Sequence, residues 1–209
     1  MRPDFSFEDK YDGQIVCGID EVGRGPLAGP VVAAAVILNR QTLPKHLAET
    51  INDSKKLSAQ KRAFLFDQLH HHARIGMGQC SVAEIDQLNI LQATLLAMQR
   101  AFENLPDRPQ VAFIDGNKTP KLPCKTETII KGDARCLSIA AASIIAKHHR
   151  DELMNAYAID FPYYKWESNA GYGTAQHLKA IEIHGITHLH RRSFSPISKL
   201  SLKEFSANN

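Results

Sequence analysis

Residues 17–30 have the sequence CGIDEVGRGPLAGP and join two apolar runs of strand length, Ile15–Ile19 and Val31–Leu38. Two carboxylates, Asp20 and Glu21, follow the first run directly. The segment Gly23-Arg24-Gly25-Pro26 comes next and can turn sharply, because glycine accepts positive φ and proline fixes its own φ. The pattern predicts a hairpin with acid at the end of a buried strand. Since a buried carboxylate is costly unless it is paired or bound to a metal, the pattern favours a cation site.

A simpler interpretation of this stretch is that Asp20 and Glu21 cap a turn and that Gly23-Arg24-Gly25 is only a tight connection. Isolated pairs of this kind are common, and for them the simpler interpretation would be preferred. Adjacent side chains of a regular strand face opposite ways. Asp20 and Glu21 can therefore share one site only if the strand ends or bends there, which the two glycines allow. The role of Glu21 stays open between its carboxylate, its backbone and a bound water.

The length and composition are typical of a globular protein. The chain has 209 residues, of which 44% are hydrophobic and 22% charged, which suits one compact domain. We expect residues 1–12 to form a flexible tail and residues from about 160 to 209 to form a C-terminal helical extension. No apolar run approaches the ~18 residues of a membrane span, and no signal peptide is evident. The four cysteines are scattered, which favours free thiols in the cytoplasm over disulfides or a zinc site.

The net charge of +3 and the pI near 8.6 permit nucleic-acid binding without requiring it. Basic residues form separate spots along the chain: Lys55-Lys56, Lys61-Arg62, Lys147–Arg150 and Arg191-Arg192. Each spot alone predicts a solvated face. If several spots converged on one acidic cleft they would form a track for phosphates, which only the tertiary structure decides.

Hydrophobic periodicity predicts an alternation of strands and helices. The predicted helices are Ala59–His72 after Ser58 as N-cap, a short turn Ala83–Asn89, Ile90–Asn104, Leu137–Ile159, Ala175–His184 between Thr174 and Gly185, and Ser198–Phe205. The further predicted strands are Ile75–Val82, Val111–Ile114 and Thr126–Lys131.

The strand Val111–Ile114 has the same pattern as the first strand, because an acid, Asp115, follows its apolar run and a glycine, Gly116, comes next. Two apolar strands that end in acid indicate neighbours in one sheet that deliver carboxylates to one edge. Asp133 lies just before the helix that begins at Leu137, and from the residues alone a capping role is an equal alternative.

Two other features near the C-terminus bear on function. Tyr172 lies between two glycines just before a helix, which suits contact with a ligand, although a ring packed over its own loop is an equal alternative. Histidines 184, 188 and 190 do not indicate a zinc site, because Gly185 interrupts the helix that would align the first two.

Seven segments of the chain, in order, resemble those of the type 2 ribonuclease H (ribonuclease HII) family. They are residues 17–30, Asp53-Ser54-Lys55-Lys56-Leu57, Phe113-Ile114-Asp115-Gly116-Asn117, Lys131-Gly132-Asp133-Ala134-Arg135, Ser143-Ile144-Ile145-Ala146-Lys147, Gly171-Tyr172-Gly173-Thr174 and His190-Arg191-Arg192-Ser193-Phe194. The resemblance implies a ribonuclease H-like α/β fold, with a mixed central sheet flanked by helices and a C-terminal helical part. Many family members carry a His-Lys pair where this chain has Asn169-Ala170, so a backbone contact there is lost or replaced.

The resemblance also implies the residues of a site. The catalytic acids would be Asp20, Glu21, Asp115 and Asp133, with Asp20, Glu21 and Asp115 binding the metal. The substrate-binding residues would be Gly23, Arg24, Gly25, Tyr172, Ser143, Lys147 and Lys55. Mg²⁺ or Mn²⁺ prefers carboxylate oxygen, and two ions about 3.5–4 Å apart with substrate bound would serve both the attacking and the departing oxygen.

The function implied is that of a metal-dependent endonuclease. It would hydrolyse the RNA strand of RNA–DNA hybrids, cut at single ribonucleotides in duplex DNA, and leave 3′-hydroxyl and 5′-phosphate ends. The alternatives are a DNA-directed nuclease of the same fold superfamily, which the Gly-Arg-Gly and Gly-Tyr-Gly elements disfavour, and a non-catalytic nucleic-acid-binding module, which the four acids disfavour. We expect a monomer with no membrane association. The sequence identifies neither the preferred metal nor a protein partner such as a replication clamp.

Overall fold

The computed structural model describes residues 2–199, which form a mixed five-stranded sheet with helices on both faces. The strands are β1 (Val16–Val22), β2 (Val31–Leu38), β3 (Ala73–Cys80), β4 (Val111–Asp115) and β5 (Lys125–Ile129). Their order is β3-β2-β1-β4-β5, with β1, β2 and β3 antiparallel and β1, β4 and β5 parallel. The predicted pairing of the two acid-terminated strands is confirmed, since β1 and β4 are parallel neighbours.

The five predicted helices that lie within residues 2–199 begin and end close to the predicted residues, and the structure also has two short helices, at residues 45–48 and 166–169. In chain order the helices are α1 (Lys45–Ala48), α2 (Ala59–His72), α3 (Val82–Leu88), α4 (Ile90–Glu103), α5 (Leu137–Asp160), α6 (Trp166–Asn169) and α7 (Ala175–His184). Ser58 caps α2 by accepting from Lys61 N–H, and Thr174 caps α7 in the same way. Most of the predicted helix Ser198–Phe205 lies outside the described residues. Within residues 2–199, no helix has the length and apolar character needed to cross a membrane.

The first strand is longer than its apolar run predicts. The sequence suggested a strand that ends at Ile19, whereas β1 continues to Val22 and contains both acids. The reason is the long apolar run of β2, which pairs Glu21 with Ala33 and Val22 with Val32.

The helices form two layers whose closeness to the sheet depends on small residues. Helix α4 packs on one face, where a Cβ on Gly78 of β3 would lie 2.2 Å from the carbonyl oxygen of Ala97. Helix α5 packs on the other face, where a Cβ on Gly18 of β1 would lie 2.2 Å from the carbonyl carbon of Ser138. The main chain of α5 therefore lies directly on β1, two residues before Asp20.

The N-terminal residues pack against the sheet, whereas the sequence predicted a flexible tail over residues 1–12. The rings of Phe7 and Tyr11 contact Phe113 of β4 edge-on, with centroid distances of 6.2 and 5.8 Å. The buried carboxylate of Glu8 accepts the N–H of Ser138, 2.9 Å away, in the first turn of α5. Aromatic burial and a carboxylate at a helix N-terminus are both stabilising, so this segment is held in place.

The C-terminal helical part surrounds a second, smaller core. Trp166 is fully buried there with Leu27, Ala28 and Met154, which come from the loop after β1 and from α5. This part of the chain therefore packs on the loop that follows the two acids of β1.

We expect Gly18→Ala to destabilise the fold by about 3 kcal/mol, because the methyl group would overlap main-chain atoms of α5 that no side-chain movement can displace. Gly13→Ala is the control. Gly13 has φ +75° but no neighbour within 4 Å of a Cβ, so only backbone strain on the order of 1 kcal/mol applies. Urea denaturation of both variants measures the difference, and equal effects would contradict the close approach.

Candidate active site

Two acids meet at the edge of the sheet where β1 and β4 come to an end. Ile19 is paired with Ile114 in parallel register, and the next residues on the two strands are Asp20 and Asp115. Parallel neighbours point their carboxyl ends to the same edge, so the register itself places one acid beside the other.

The same two acids share the α5 face of the sheet. Gly18, two residues before Asp20, lies against α5, and Phe113, two residues before Asp115, packs with Ile139 of α5. Alternate residues of a strand point to one face, so both carboxylates point to the α5 side.

Asp133 lies beside this pair in the 3-10 turn Gly132–Ala134 that precedes α5. The turn is tied to β4, because the Gly132 N–H donates to Asp115 Oδ1 at 2.7 Å. Asp133 does not cap α5. The N-cap position belongs to Cys136, and the carboxylate that serves the first turn comes from Glu8.

Glu21 points to the opposite, α4 face. Ile19, two residues earlier, packs with Met98 of α4, and the strand continues without a bend between the two acids. Its Oε1 accepts from the guanidinium of Arg24 at 3.2 Å. Glu21 and Asp115 both border a pocket of about 290 Å³, whose lining also includes Arg24, Leu91, Thr94, Leu95, Met98, Gly116, Asn117 and Lys118.

The carboxylates repel one another in this arrangement. Burial, reinforced by the charges of Glu21, Asp115 and Asp133, raises the pKa of Asp20 well above its usual value. Burial also raises the pKa of Glu21, although the charge and hydrogen bond of Arg24 oppose the shift.

The pKa of Asp133 is also raised, although this residue is less buried than Asp20. Its pKa is raised by burial and then by the charges of Asp53 and Asp115, while Lys55 and Lys56 partly offset the rise. The two lysines therefore lie close enough to Asp133 to act on its charge.

The donor chemistry of this edge fits a hard divalent cation. The groups available to bind an ion are carboxylate oxygens. Asp20 is 7% exposed, and among residues 2–199 its carboxylate accepts only the N–H of Glu21. As the side chains stand, no group of three or more His, Cys, Asp or Glu residues within the described part of the chain could hold a metal ion. Glu21 faces away from Asp20, and Asp115 is the acid whose charge acts on both.

Two glycine-containing loops lie together beside the acids. The N–H groups of Leu27 and Ala28 donate to the carbonyl of Gly171 at 2.8 and 3.3 Å. A Cβ on Gly25 would lie 3.4 Å from the ring of Tyr172, and that tyrosine is 46% exposed. The ring therefore stands against the Gly-Arg-Gly loop with half its surface open to solvent, rather than being buried over its own loop.

A buried arginine holds the Gly-Arg-Gly loop from behind. Arg191 is 0% exposed, and its guanidinium donates to the carbonyls of Gly23, Arg24 and Gly29 over 2.5–3.0 Å. Burial lowers the pKa of Arg191 to about 9, which leaves it charged at neutral pH.

A second buried arginine ties this loop to the tyrosine loop. Arg150 of α5 is 0% exposed and donates to the carbonyls of Pro30, Ala28 and Ala170 at 3.0–3.1 Å. Both arginines belong to spots that the sequence predicted as solvated faces, and for these two residues that interpretation is wrong. Their partners are main-chain carbonyls, which leave no side-chain pattern in the sequence.

Three predicted substrate-binding residues lie near the loop Asp53–Lys56. Ser143 is buried, accepts the Ser54 N–H at 3.3 Å and donates to the Ala140 carbonyl, so it fixes this loop to α5. Lys147 forms an ion pair with Asp151, and Lys55 is exposed.

Asp151 also forms an ion pair with Arg62, whose Nη2 lies 3.2 Å from Asp151 Oδ2. Three of the basic spots, those containing Lys55, Arg62 and Lys147, therefore lie on one side of the molecule with the loop Asp53–Lys56.

The sequence matches a family model over most of its length. The model described as Ribonuclease HII matches residues 17–197. A protein named Ribonuclease HII from Paramagnetospirillum magneticum is 53% identical over 200 residues, which is 96% of this chain and 99% of that protein.

Solved structures share the fold at lower identity. The ribonuclease H2 of Pyrococcus horikoshii OT3 superposes with a TM-score of 0.73 at 24% identity, covering 90% of this chain and 97% of that one. Bst-RNase HIII in complex with Mn²⁺ superposes with a TM-score of 0.70 at 18% identity, covering 92% of this chain and 71% of that one. These likenesses confirm the predicted ribonuclease H-like α/β fold.

We expect Asp20→Asn to stabilise the metal-free protein, because burial and the neighbouring carboxylates raise the pKa of Asp20 and the substitution removes its charge. The charged form of Asp20 is disfavoured in the fold. The charge therefore lowers the free energy of unfolding at pH values above the raised pKa, and this loss disappears as the pH falls toward about 4, where the carboxyl is protonated in both the folded and the unfolded state. The gain should therefore be largest at neutral pH and absent near pH 4. Denaturation in EDTA measures it, with the exposed Asp67→Asn as control; an equal gain at both pH values would contradict the argument.

Proposed function

Because this chain belongs to the ribonuclease HII family, and is thus an endoribonuclease of the ribonuclease H type, we propose that it cuts RNA–DNA hybrids and also single ribonucleotides in duplex DNA. The observation that carries the proposal is the convergence of Asp20 and Asp115 beside the two adjoining glycine loops. Attack by water rather than by the 2′-hydroxyl leaves 3′-hydroxyl and 5′-phosphate ends.

In this proposal Asp20, Glu21 and Asp115 would hold Mg²⁺ or Mn²⁺, with two ions when substrate is bound, and Asp133 completes the acidic set. Asp115 would link the two strand faces, because it lies beside Asp20 on the sheet and also borders the pocket that Glu21 lines. The donor chemistry supports it, as does the Mn²⁺ complex of Bst-RNase HIII, a protein of the same fold. Bound divalent ions would supply positive charge for the attacking water and the departing oxygen. Their binding would also relieve the repulsion that raises the pKa of Asp20.

The Gly-Arg-Gly loop offers backbone groups to the 2′-hydroxyl. Arg191 already occupies the carbonyls of Gly23 and Arg24. The N–H groups of Arg24 and Gly25 have no hydrogen-bond acceptor within residues 2–199. A 2′-hydroxyl is both a donor and an acceptor, so it can accept from these groups, and glycine lets the sugar approach closely.

Tyr172 suits contact with the sugar of the next nucleotide. Its ring is rigid, half exposed and stands against Gly25. Sites that bind a hydroxyl discriminate against a substrate that lacks it, because their own polar groups are then left unpaired.

The experiment that tests the proposed function is cleavage of duplexes that contain no, one or several ribonucleotides, with Mg²⁺, with Mn²⁺ or in EDTA. We expect Asp115→Asn to lower cleavage by roughly 10²–10³-fold or more while hybrid binding persists. Asp67→Asn, an exposed acid on α2, should cleave as wild type does. Wild-type turnover by Asp115→Asn at millimolar Mg²⁺, or cleavage of all-DNA duplexes, would refute the proposal.

Binding by phosphate contacts should respond to salt. We propose that Lys147 contacts the backbone, so Lys147→Ala should make the log–log salt dependence of hybrid binding shallower by roughly one unit or less. Lys125→Ala is a matched control, since Lys125 is also ion-paired but lies beside Val111, at the end of β4 away from Asp115. Binding is measured with the inactive Asp115→Asn background. An unchanged slope would show that Lys147 does not contact the phosphates and is only a solvated or structural lysine.

Recognition of a lone ribonucleotide should depend on Tyr172. We expect Tyr172→Ala to reduce cleavage at a single ribonucleotide roughly 10-fold more than cleavage within a long RNA tract, which corresponds to about 1.4 kcal/mol. Tyr172→Phe should be milder, and Tyr163→Ala, which removes another exposed tyrosine, should leave the ratio unchanged. Equal loss on both substrates would show that this tyrosine does not sense the junction.

A further inference from the structure

Behind Tyr172 lies a buried cluster of two histidines and a tryptophan. His177 of α7, His190 and Trp166 of α6 are 0%, 1% and 0% exposed. The Nε2 atom of His177 lies 3.1 Å from Trp166 Nε1 and 3.1 Å from His190 Nε2. Its Nδ1 atom lies 2.8 Å from the carbonyl oxygen of Tyr172.

The donors around the cluster determine both neutral tautomers. The main-chain N–H of Thr187 points at His190 Nδ1 from 2.9 Å, so that nitrogen accepts and His190 carries its proton on Nε2. The indole N–H of Trp166 can only donate, so His177 Nε2 accepts from Trp166 and from His190. His177 therefore carries its proton on Nδ1 and donates it to Tyr172.

The groups that face the two imidazoles favour this neutral state. From the elements packed around them come the rings of Tyr164 and Trp166, the carbonyl of Tyr172 and the neighbouring imidazole. Burial, and then the charge that His177 would carry, lowers the pKa of His190 to about 4, and burial lowers the pKa of His177. Among the described residues, no carboxylate contributes to either shift.

We propose that His177 is a positioning residue, which, held by His190 and Trp166, fixes the main chain of Tyr172 so that its ring stands against Gly25. This inference rests on the proposed role of Tyr172 at a lone ribonucleotide. On the N-terminal side of Tyr172 the loop is held by the Gly171 carbonyl, which accepts from Leu27 and Ala28 N–H, and by the Tyr172 N–H, which donates to Asn169. On the C-terminal side the contact with His177 is the one that reaches the carbonyl of Tyr172 from the buried cluster. The carbonyl of Tyr172 accepts from Thr174 N–H and from His177, and only His177 links it to the buried cluster.

The test compares two substitutions that differ in the donor. His177→Phe keeps a ring and removes the Nδ1–H, whereas the side-chain amide of His177→Asn places an N–H near the same point. We expect His177→Phe to lower the ratio of lone-ribonucleotide to RNA-tract cleavage about 2- to 10-fold, the effect of one hydrogen bond. His177→Asn should recover most of the ratio. If His177→Phe does not fold, His177→Gln, whose amide lies nearer the Nε2 position, removes the same donor.

A double substitution separates positioning from a purely structural role. If His177 acts through Tyr172, then His177→Phe should lower the ratio no further in a Tyr172→Ala background. Equal loss on both substrates, or an additive effect in that background, would overturn the inference. If Tyr172→Ala leaves the ratio unchanged, the proposed function fails at the tyrosine itself; if it alters the ratio and His177→Phe does not, only the inference fails.

NMR supplies a readout that does not depend on cleavage. Trp166 is the single tryptophan of the chain, so one indole N–H signal reports on the buried cluster and on folding. We expect this signal to shift but stay dispersed in His177→Phe, and the contact between the Tyr172 ring and the Gly25 α-protons to weaken. In His177→Asn that contact should persist. A Tyr172–Gly25 contact that is unchanged in His177→Phe would contradict the proposal.

Discussion

The parallel pairing of β1 with β4 is the constraint on which the site depends. It places Asp20 next to Asp115, and the contact of Gly132 with Asp115 brings the turn that carries Asp133 to the same edge. The close approach of α5 at Gly18 then covers this face and buries Asp20. The packing that builds the core thus also creates the electrostatic repulsion at the edge, and a hard cation is the partner whose chemistry relieves it.

The carboxylates of the site and the arginines behind it differ in how their charges are compensated. The carboxylates are close together with little compensating charge, whereas the buried guanidiniums of Arg150 and Arg191 are surrounded by main-chain carbonyls. These hydrogen bonds hold the loop after β1 in one conformation. The carboxylates therefore repel one another until a cation binds, while two buried guanidiniums hold the carbonyls of the loop after β1 in fixed positions.

Local patterns in the sequence predicted most of the elements. Caps and breakers such as Ser58, Thr174 and Gly185 located helix ends because their hydrogen bonds are made within a few residues. Predictions failed where a distant segment decided the outcome. Strand β1 is lengthened by β2, and the N-terminal residues are held by Phe113 and by the first turn of α5.

By itself, the sequence determined the order of the elements, the acids that follow two apolar strands, and the resemblance that the match over residues 17–197 bears out. These features depend on residue type and short spacing. Only the tertiary structure decided that Glu21 points away from Asp20, that Arg150 and Arg191 are buried, and that His177 Nδ1 lies 2.8 Å from the carbonyl of Tyr172. The physical reason is that the partners of the two arginines and of His177 are main-chain carbonyls, which accept hydrogen bonds from these side chains. Every residue has such a carbonyl, so the choice among them is made only when the chain folds.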